Sequence, residues 1–557
     1  MNGLHVLIGR GLRCLYNYRC VVRTQSLFKI IFSGSFMVVT LVGLFFIFYG
    51  GFVFLDSIGG VGLLILNRLF ALFFFGLGIL LVLSSAVTAY ASFYKSPEMP
   101  FLLLRPFQVR DVLMYTFFKT AAMSSWAFFF IILPFVGAYA YYENISVYFA
   151  LWTLIYSLPF VLICCFIGTL ITMFLVRFLP RGKPLMIGIS AVLIVIGVLV
   201  LRSVQGALYE AGSDQVILLN KLIPGFRFTS HPIWPSYWVA DGMMSMTRDQ
   251  WGRGLQFMAL LLSWVGVLAI LFRTAGEWMY FDGWQKEVVS VRGASQKCSM
   301  LKPLEHIFTW FSPSDFRALL FKDLRTFLRD PAQWSQGLIF YGILGLYFIN
   351  LRNLQYHTLS AEWRNTIVFL NVFSVSAVMC SVGARFVYPQ LSLEGQGFWI
   401  VGMSPVSMGR VLVSKFVASL FVLMMISMGL MYVSVQMLDV DSNVKLCTLV
   451  ISVAMSFTVA GMSTGFGGLF IDLKQRNPAA IISSFGGTLN LVMNLCFMFA
   501  AIIPFASIFH VYVRGQISSN ASWMALSLAY LYLTLLTAIA AGVPMALGRR
   551  SLLAREF

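Results

Sequence analysis

Long apolar runs without a carboxylate recur along this chain, separated by short stretches that collect its Lys, Arg and Pro residues. About 20 apolar residues are what a helix needs to cross the hydrocarbon core of a bilayer. Runs of that kind lie near 27–55, 61–92, 118–142, 147–179, 184–201 and 254–275, and again near 336–350, 364–388, 411–437, 444–470, 480–511 and 522–547. The 336–350 run is short and borrows residues from its flanks, and the 480–511 run contains Pro504, where a kink is expected. The pattern predicts an all-α, polytopic membrane protein with about twelve spanning helices.

Two stretches have a helical period without the length or the apolar content of a span. In residues 4–22, Leu4, Leu7, Ile8, Leu12, Leu15, Tyr16 and Val22 share a face that leaves Arg10 and Arg13 outside it. In residues 314–330, Phe316, Leu319, Leu320, Leu324, Phe327 and Leu328 form a stripe, with Lys322, Arg325 and Arg329 off it. Ser312, Pro313 and Asp315 supply a cap, a first-turn proline and an acid near the helix start. Asp330-Pro331 ends the helix. Each stretch runs directly into a span, which fits helices lying in the membrane interface.

Composition changes the picture mainly by exclusion. The chain has 557 residues, of which 59% are hydrophobic and 11% charged, and its mean hydropathy is +0.85. A soluble protein carries about 25% charged residues. The formal net charge of +18 raises nucleic acid as a partner, but topology accounts for it. With the N-terminus inside and spans alternating, about 29 of the 39 basic residues fall on the inner side, against about 12 of the 21 acids. That is a positive-inside distribution, so no nucleic-acid partner is expected. Both termini and the 276–335 connection are expected to be cytoplasmic, in the plasma (inner) membrane. The first 26 residues are broken by Arg and do not form a cleavable signal peptide. The eight Cys show neither C-x-x-C spacing nor pairing with His, so no disulfide framework or metal site is expected.

The order of parts repeats. Each half, 1–275 and 276–557, starts with an amphipathic helix, continues through two spans to a short inner segment, and then returns to spans. The short segments are 96–111, with Glu98, Phe101, Pro106 and Arg110, and 393–410, with Glu394, Phe398, Pro405 and Arg410. In each an acid is followed by an aromatic, an apolar run, Pro and Arg. An even number of spans per half places both halves in one orientation, with a pseudo-twofold along the membrane normal and a pathway between them. The outer segment 202–253, rich in Pro and aromatics, has no long counterpart in the second half and suits a structure dipping into the outer interface.

Familiar chemistry is absent from the sequence. There is no G-x-x-x-x-G-K-[ST], G-x-S-x-G or H-E-x-x-H. The five His are scattered, and the span interiors hold no Asp or Glu, the groups on which ion- and proton-coupled transport usually relies. Gly461-x-x-x-Gly465 reads as tight packing of a small-residue face. Asn144-Ile-Ser146 matches a glycosylation sequon.

The run Phe321-Lys-Asp-Leu-Arg325-Thr-Phe-Leu-Arg329-Asp330-Pro331 and the run Ser404-Pro405-Val-Ser-Met-Gly-Arg410 with Lys415 carry a resemblance. With the layout, they make the chain similar to the fused twelve-span permease subunits of type-2 ATP-binding-cassette (ABC) exporters. The resemblance implies elbow helices at 4–22 and 314–330, the latter using Lys322, Arg325, Arg329, Asp330 and Pro331, and coupling segments at 96–111 and 393–410. It also implies two separate ABC ATPase subunits as partners beside the lipid bilayer and an export substrate. These would dock on Glu98, Phe101, Pro106, Arg110, Glu394, Phe398, Pro405 and Arg410. ATP and magnesium would then reside in the partner, leaving no cofactor and no catalytic residue in this chain. Half one departs from the pattern with Arg105-Pro106 in place of Ser-Pro. Two other functions compete. A twelve-span secondary transporter shares the span count, but usually carries G-x-x-x-D-[RK]-x-G-[RK] where this chain has Ser96-Pro-Glu-Met-Pro. A membrane enzyme acting on lipid-linked substrates would need carboxylates at metal-ligand spacing, which Asp214, Asp241 and Asp249 lack.

Overall fold

A computed structural model describes residues 5–7, 9–11, 13, 17, 27–57, 60–96, 98–145, 148–178, 231–293, 314–329, 361–438, 441–474, 481–482, 484–513, 515 and 518–554. Among these residues every regular element is helical. The chain falls into two compact units, Met1–Gln296 and Lys297–Phe557. The protein is an all-α polytopic membrane protein. Ten of the described helices are long and apolar enough to cross a membrane. They correspond to ten of the twelve apolar runs in the sequence; the runs 184–201 and 336–350 lie outside the described residues.

The first unit contains α1 (Leu27–Ser57), α2 (Gly60–Tyr90), α3 (Glu98–Leu103), α4 (Val109–Tyr142), α5 (Tyr148–Phe178), α6 (Pro235–Thr247) and α7 (Trp251–Gly293). Its centre is aromatic. Phe70 of α2 packs edge-on against Phe135 and Tyr139 of α4 and against Phe149 of α5, and Phe73 stacks on Phe135. Rings serve this packing well, because edge-to-face pairs add about 0.5–1.5 kcal/mol beyond burial. Of the segment 202–253, the described part, 231–253, folds as the short helix α6 and the start of α7. Trp238, Val239 and Met243 are buried there, and the Tyr156 hydroxyl donates to the Gly254 carbonyl at 2.7 Å. α6 therefore packs into the unit instead of lying only along an interface. The connection expected from residue 276 also begins differently, because α7 continues without a break to Gly293. The amphipathic stretch 4–22 lies mostly outside the described residues.

The second unit contains α8 (Ser314–Arg329), α9 (Ala361–Val382), α10 (Phe398–Gly402), α11 (Met408–Leu438), α12 (Ser442–Leu469), α13 (Phe485–Val513) and α14 (Ser519–Leu553). Its core joins Val372 and Met379 of α9, Met431 of α11, Met455 and Val459 of α12, Phe505 of α13 and Leu533 of α14. The Gly-x-x-x-Gly run does pack tightly. Gly465 and Gly548 meet backbone to backbone between α12 and α14, and a Cβ on Gly461 would stand 2.6 Å from that of Ala541. Small residues let helix axes approach where no apolar solvent effect drives them together. Pro504 and Pro544 both lie inside helices.

One sequence of local elements occurs in both units. The second span of the first unit ends in a π-helical turn, Ala91–Lys95, before α3 and α4. In the second unit α9 ends in a π-helical turn, Gly383–Val387, and short 3₁₀ turns lead to α10 and α11. Single π turns inside helices commonly mark functional positions.

Candidate functional site

The two short helices α3 and α10, each between two long spans, hold the segments singled out in the sequence. In the first unit Glu98 opens α3. Met99 and Leu102 are buried beneath the helix, while Phe101 is 51% exposed and Leu104, just past its end, is 86% exposed. Arg105 lies over the Phe101 ring at 4.6 Å. Two ion pairs fix the segment to its neighbours. Lys119 of α4 reaches Glu98 at 2.7 Å, and Arg110 reaches Glu277 of α7 at 3.0 Å. All four side chains are substantially exposed, and exposed pairs contribute about 0–1 kcal/mol each. Pro106 is exposed in the turn between α3 and α4. The same end of the unit holds Arg177 of α5, paired with Asp282 of α7 at 3.0 Å.

The second unit handles the same residue types differently. Gly395 adopts φ +59°, a conformation that favours glycine. It turns the chain sharply, so that Glu394 points into the protein and the helix restarts at Phe398. Phe398 is 0% exposed and packs with Leu391, Leu412, Ile471 and Leu552. Glu394 sits in a cluster of four charges. It accepts hydrogen bonds from Lys415 at 2.6 Å and from Lys322 at 2.8 Å. Asp323 meets Lys415 at 3.1 Å and Lys322 at 3.3 Å. The Lys415 side chain is 3% exposed. A lysine so buried is tolerable because carboxylates flank it from two directions, Asp323 on the amphipathic helix and Glu394 on the short segment. The cluster thus binds α8, the 3₁₀ turn before α10, and α11 into one joint. Leu320 and Phe321 complete it by packing on Val417 and Ala418, and Arg410 approaches Asp315 at 3.6 Å. Ser392 accepts from the Asp472 backbone N–H at 3.1 Å, which ties the segment to the chain after α12.

These positions correct part of the sequence-based reading. Glu394 and Phe398, expected on an outward docking face, are interior residues, and Pro405 and Arg410 remain exposed. The outward apolar face of α10 is made by Trp399 and Ile400, each more than half exposed, and by Met403 at its end, 76% exposed. Leu104 and these three residues were missed, as was Asp323. Of the proposed elbow residues, Lys322 is central to the charge cluster and Arg325 lies on α8. Asp330 and Pro331 fall outside the described residues, and Arg329 ends α8. Among the described residues no group of His, Cys, Asp and Glu could hold a metal ion.

No curated protein and no solved structure matches the chain. A family profile does match, across residues 22–557, and its description is "Putative ATP-binding cassette". That description names the ATP-binding cassette itself, so it overturns the expectation of a permease subunit served by separate ATPases. The expectations that the chain has no nucleotide site and that ATP and magnesium belong only to a partner fall with it. The secondary-transporter and lipid-linked-enzyme alternatives find no support in the match. The G-x-x-x-x-G-K-[ST] run remains absent from all 557 residues, so a nucleotide site here is not built on that loop. With the match extending over nearly the whole chain, this protein belongs to the family described as an ATP-binding cassette.

Proposed function

We propose that this chain acts in ABC transport as a multi-pass membrane protein, and that nucleotide-dependent movement reaches its spanning helices through segments 96–111 and 393–410. The reading is carried by the outward apolar faces of the two short helices. Phe101 with Leu104, and Trp399 with Ile400 and Met403, stand exposed between long spans, at the ends where the basic residues gather. Apolar side chains displayed between ion-paired anchors suit a surface that is pushed or gripped. In the second half the Lys415 cluster would carry that movement to α8 and α11 together. In the first half the Glu98–Lys119 and Arg110–Glu277 pairs would steer α3 against α4 and α7. The earlier docking set is thereby re-divided. Glu98, Phe101, Pro106, Arg110, Pro405 and Arg410 belong to the contact surface, and Glu394 and Phe398 to the joint behind it.

In this reading the halves 1–275 and 276–557 are copies of one unit, supported by the shared order of span, π turn, short helix and span. The termini and the 276–335 connection face the cytoplasm of a plasma-membrane protein, supported by the Lys and Arg asymmetry.

The test uses single cysteines at positions 104 and 403 in a cysteine-free background. Purified full-length chain is labelled with a maleimide with and without ATP and magnesium, alongside equilibrium binding of labelled ATP. Nucleotide binding with a changed labelling rate at both positions is expected. Binding with no change at either position would remove these segments from the mechanism. No nucleotide binding by the purified chain would remove the placement of the nucleotide step in this chain.

A further inference from the structure

Beside the Lys415 joint lies a cleft that shares Arg410 with the contact surface above and reaches past it to α8 and α14. A cavity of about 270 Å3 is lined by Phe316 of α8, by Ser407, Gly409, Arg410 and Val413 around the start of α11, and by Arg549 near the end of α14. Two guanidinium groups therefore enter it from two different spanning helices. Arg549 lies across the start of α11, its Nε 3.3 Å from where a Cβ on Gly409 would stand. Arg410 leans towards Asp315, but at 3.6 Å, beyond ordinary hydrogen-bond length, with both side chains well exposed. Two cationic groups thus line the cleft, with the Asp315 carboxylate beside Arg410. Its other walls, Phe316 and Val413, are apolar.

Depth decides what such a cleft would hold. The candidate span of α11 starts at Met408, within the lining itself, and that of α14 runs to Leu553, just past Arg549. α8 is strongly amphipathic by sequence and packs through Leu320 and Phe321 on Val417 and Ala418, two turns into α11. The apolar runs of these two helices, near 411–437 and 522–547, stop just short of Arg410 and Arg549, so both arginines stand at the ends of the runs, where spanning helices meet the headgroups. Paired Arg residues are suited to phosphate, which they bind through forked hydrogen bonds. Basic pockets between spanning helices at this depth are where anionic headgroups bind.

We propose that this cleft binds an anionic phospholipid from the adjacent leaflet, with Arg410 and Arg549 on the phosphate and Phe316 and Val413 against the glycerol and upper acyl chain. Free phosphate shares the anionic chemistry but makes no use of the apolar walls.

The experiment uses the full-length chain purified in neutral detergent, with phosphatidylglycerol, phosphatidylcholine and inorganic phosphate as probes. Retained lipid is counted by native mass spectrometry. The parent chain should hold phosphatidylglycerol in preference to phosphatidylcholine, and inorganic phosphate should not displace it. Arg549→Gln and Arg410→Gln should each lower phosphatidylglycerol retention about five-fold, while Arg549→Lys loses less. Arg550→Gln, one residue further along the same exposed turn but outside the lining, should change nothing. Unchanged thermal midpoints and circular dichroism show that the variants are folded; should Arg410→Gln disturb folding, Phe316→Ala supplies the second variant. Equal loss in Arg550→Gln would mean diffuse surface attraction and would overturn the site. Displacement by inorganic phosphate would overturn the lipid in favour of a free anion. Retention unchanged in every variant would overturn both.

Discussion

The short inner segments of the two units look alike as sequence and behave as opposites. In the first, the acid and the aromatic face outward: Glu98 makes one exposed ion pair and Phe101 is half in solvent. In the second, both are interior: Glu394 shares a buried lysine with Asp323, and Phe398 is closed off completely. The difference arises at a turn in the backbone. Phe101 follows its acid by three positions on one continuous helix, whereas Phe398 follows by four, across the positive-φ turn at Gly395. The helix is broken at that turn and restarts at Phe398, so the turn, and not helical phase, sets which side chains face outward. The outward aromatic of the second segment is therefore Trp399. A repeated motif can keep its place in a fold while its members trade roles.

The contrast is broken most severely at the buried lysine. Lys415→Met leaves Glu394 and Asp323 sharing Lys322 alone, a half-exposed cation, in place of two, and should cost about 3 kcal/mol. Lys119→Met, which frees the exposed Glu98, should cost about 1 kcal/mol or less. Denaturant unfolding of the purified chain, followed by circular dichroism, measures both. Adding Glu394→Gln to Lys415→Met should recover part of the loss, because one buried charge goes with it. A double variant worse than Lys415→Met would show that Glu394 is held by something other than the lysines.

The aromatics come next. Phe398→Ala should destabilise by about 3 kcal/mol, the low end for a buried ring, because its cluster is small and can partly collapse. Phe101→Ala should stay within about 0.5 kcal/mol. Equal effects in the same unfolding measurement would erase the distinction between the two segments. The smallest difference is expected at the arginines. Arg110→Gln and Arg410→Gln each remove one exposed pair and should shift stability by under about 1 kcal/mol. A loss from Arg410→Gln as large as that from Lys415→Met would mean that the joint extends out to Asp315.

Much of this was legible in the residues alone. Runs of apolar residues specify spans because the bilayer allows few other solutions, and Pro and Arg clusters marked both short segments. What escaped was direction. Periodicity placed Phe398 and Phe101 at equivalent points but could not register the backbone turn at Gly395. The charge joint was hidden for a related reason. Asp323 sits among the basic residues of an amphipathic helix and reads there as one more surface charge. A usable signal was present in Lys415 itself: a lysine two turns into an apolar span needs a carboxylate, and few acids lie at that end of the unit. The far end of the first unit's last helix was obscured because Glu277, Asp282 and Glu287 interrupt the apolar pattern without interrupting the helix.

That last helix has mechanical reach. Its 43 residues make a rod of about 65 Å, roughly twice the thickness of a bilayer's hydrocarbon core. A helix of that length extends beyond the hydrocarbon core it crosses. Arg110 and Arg177 clasp the rod at Glu277 and Asp282, and the helix continues past both to Gly293. A turn of the helix at the clasps would be carried to its end, about 16 Å beyond Asp282, and a push on that end would be returned as a rotation among the spans.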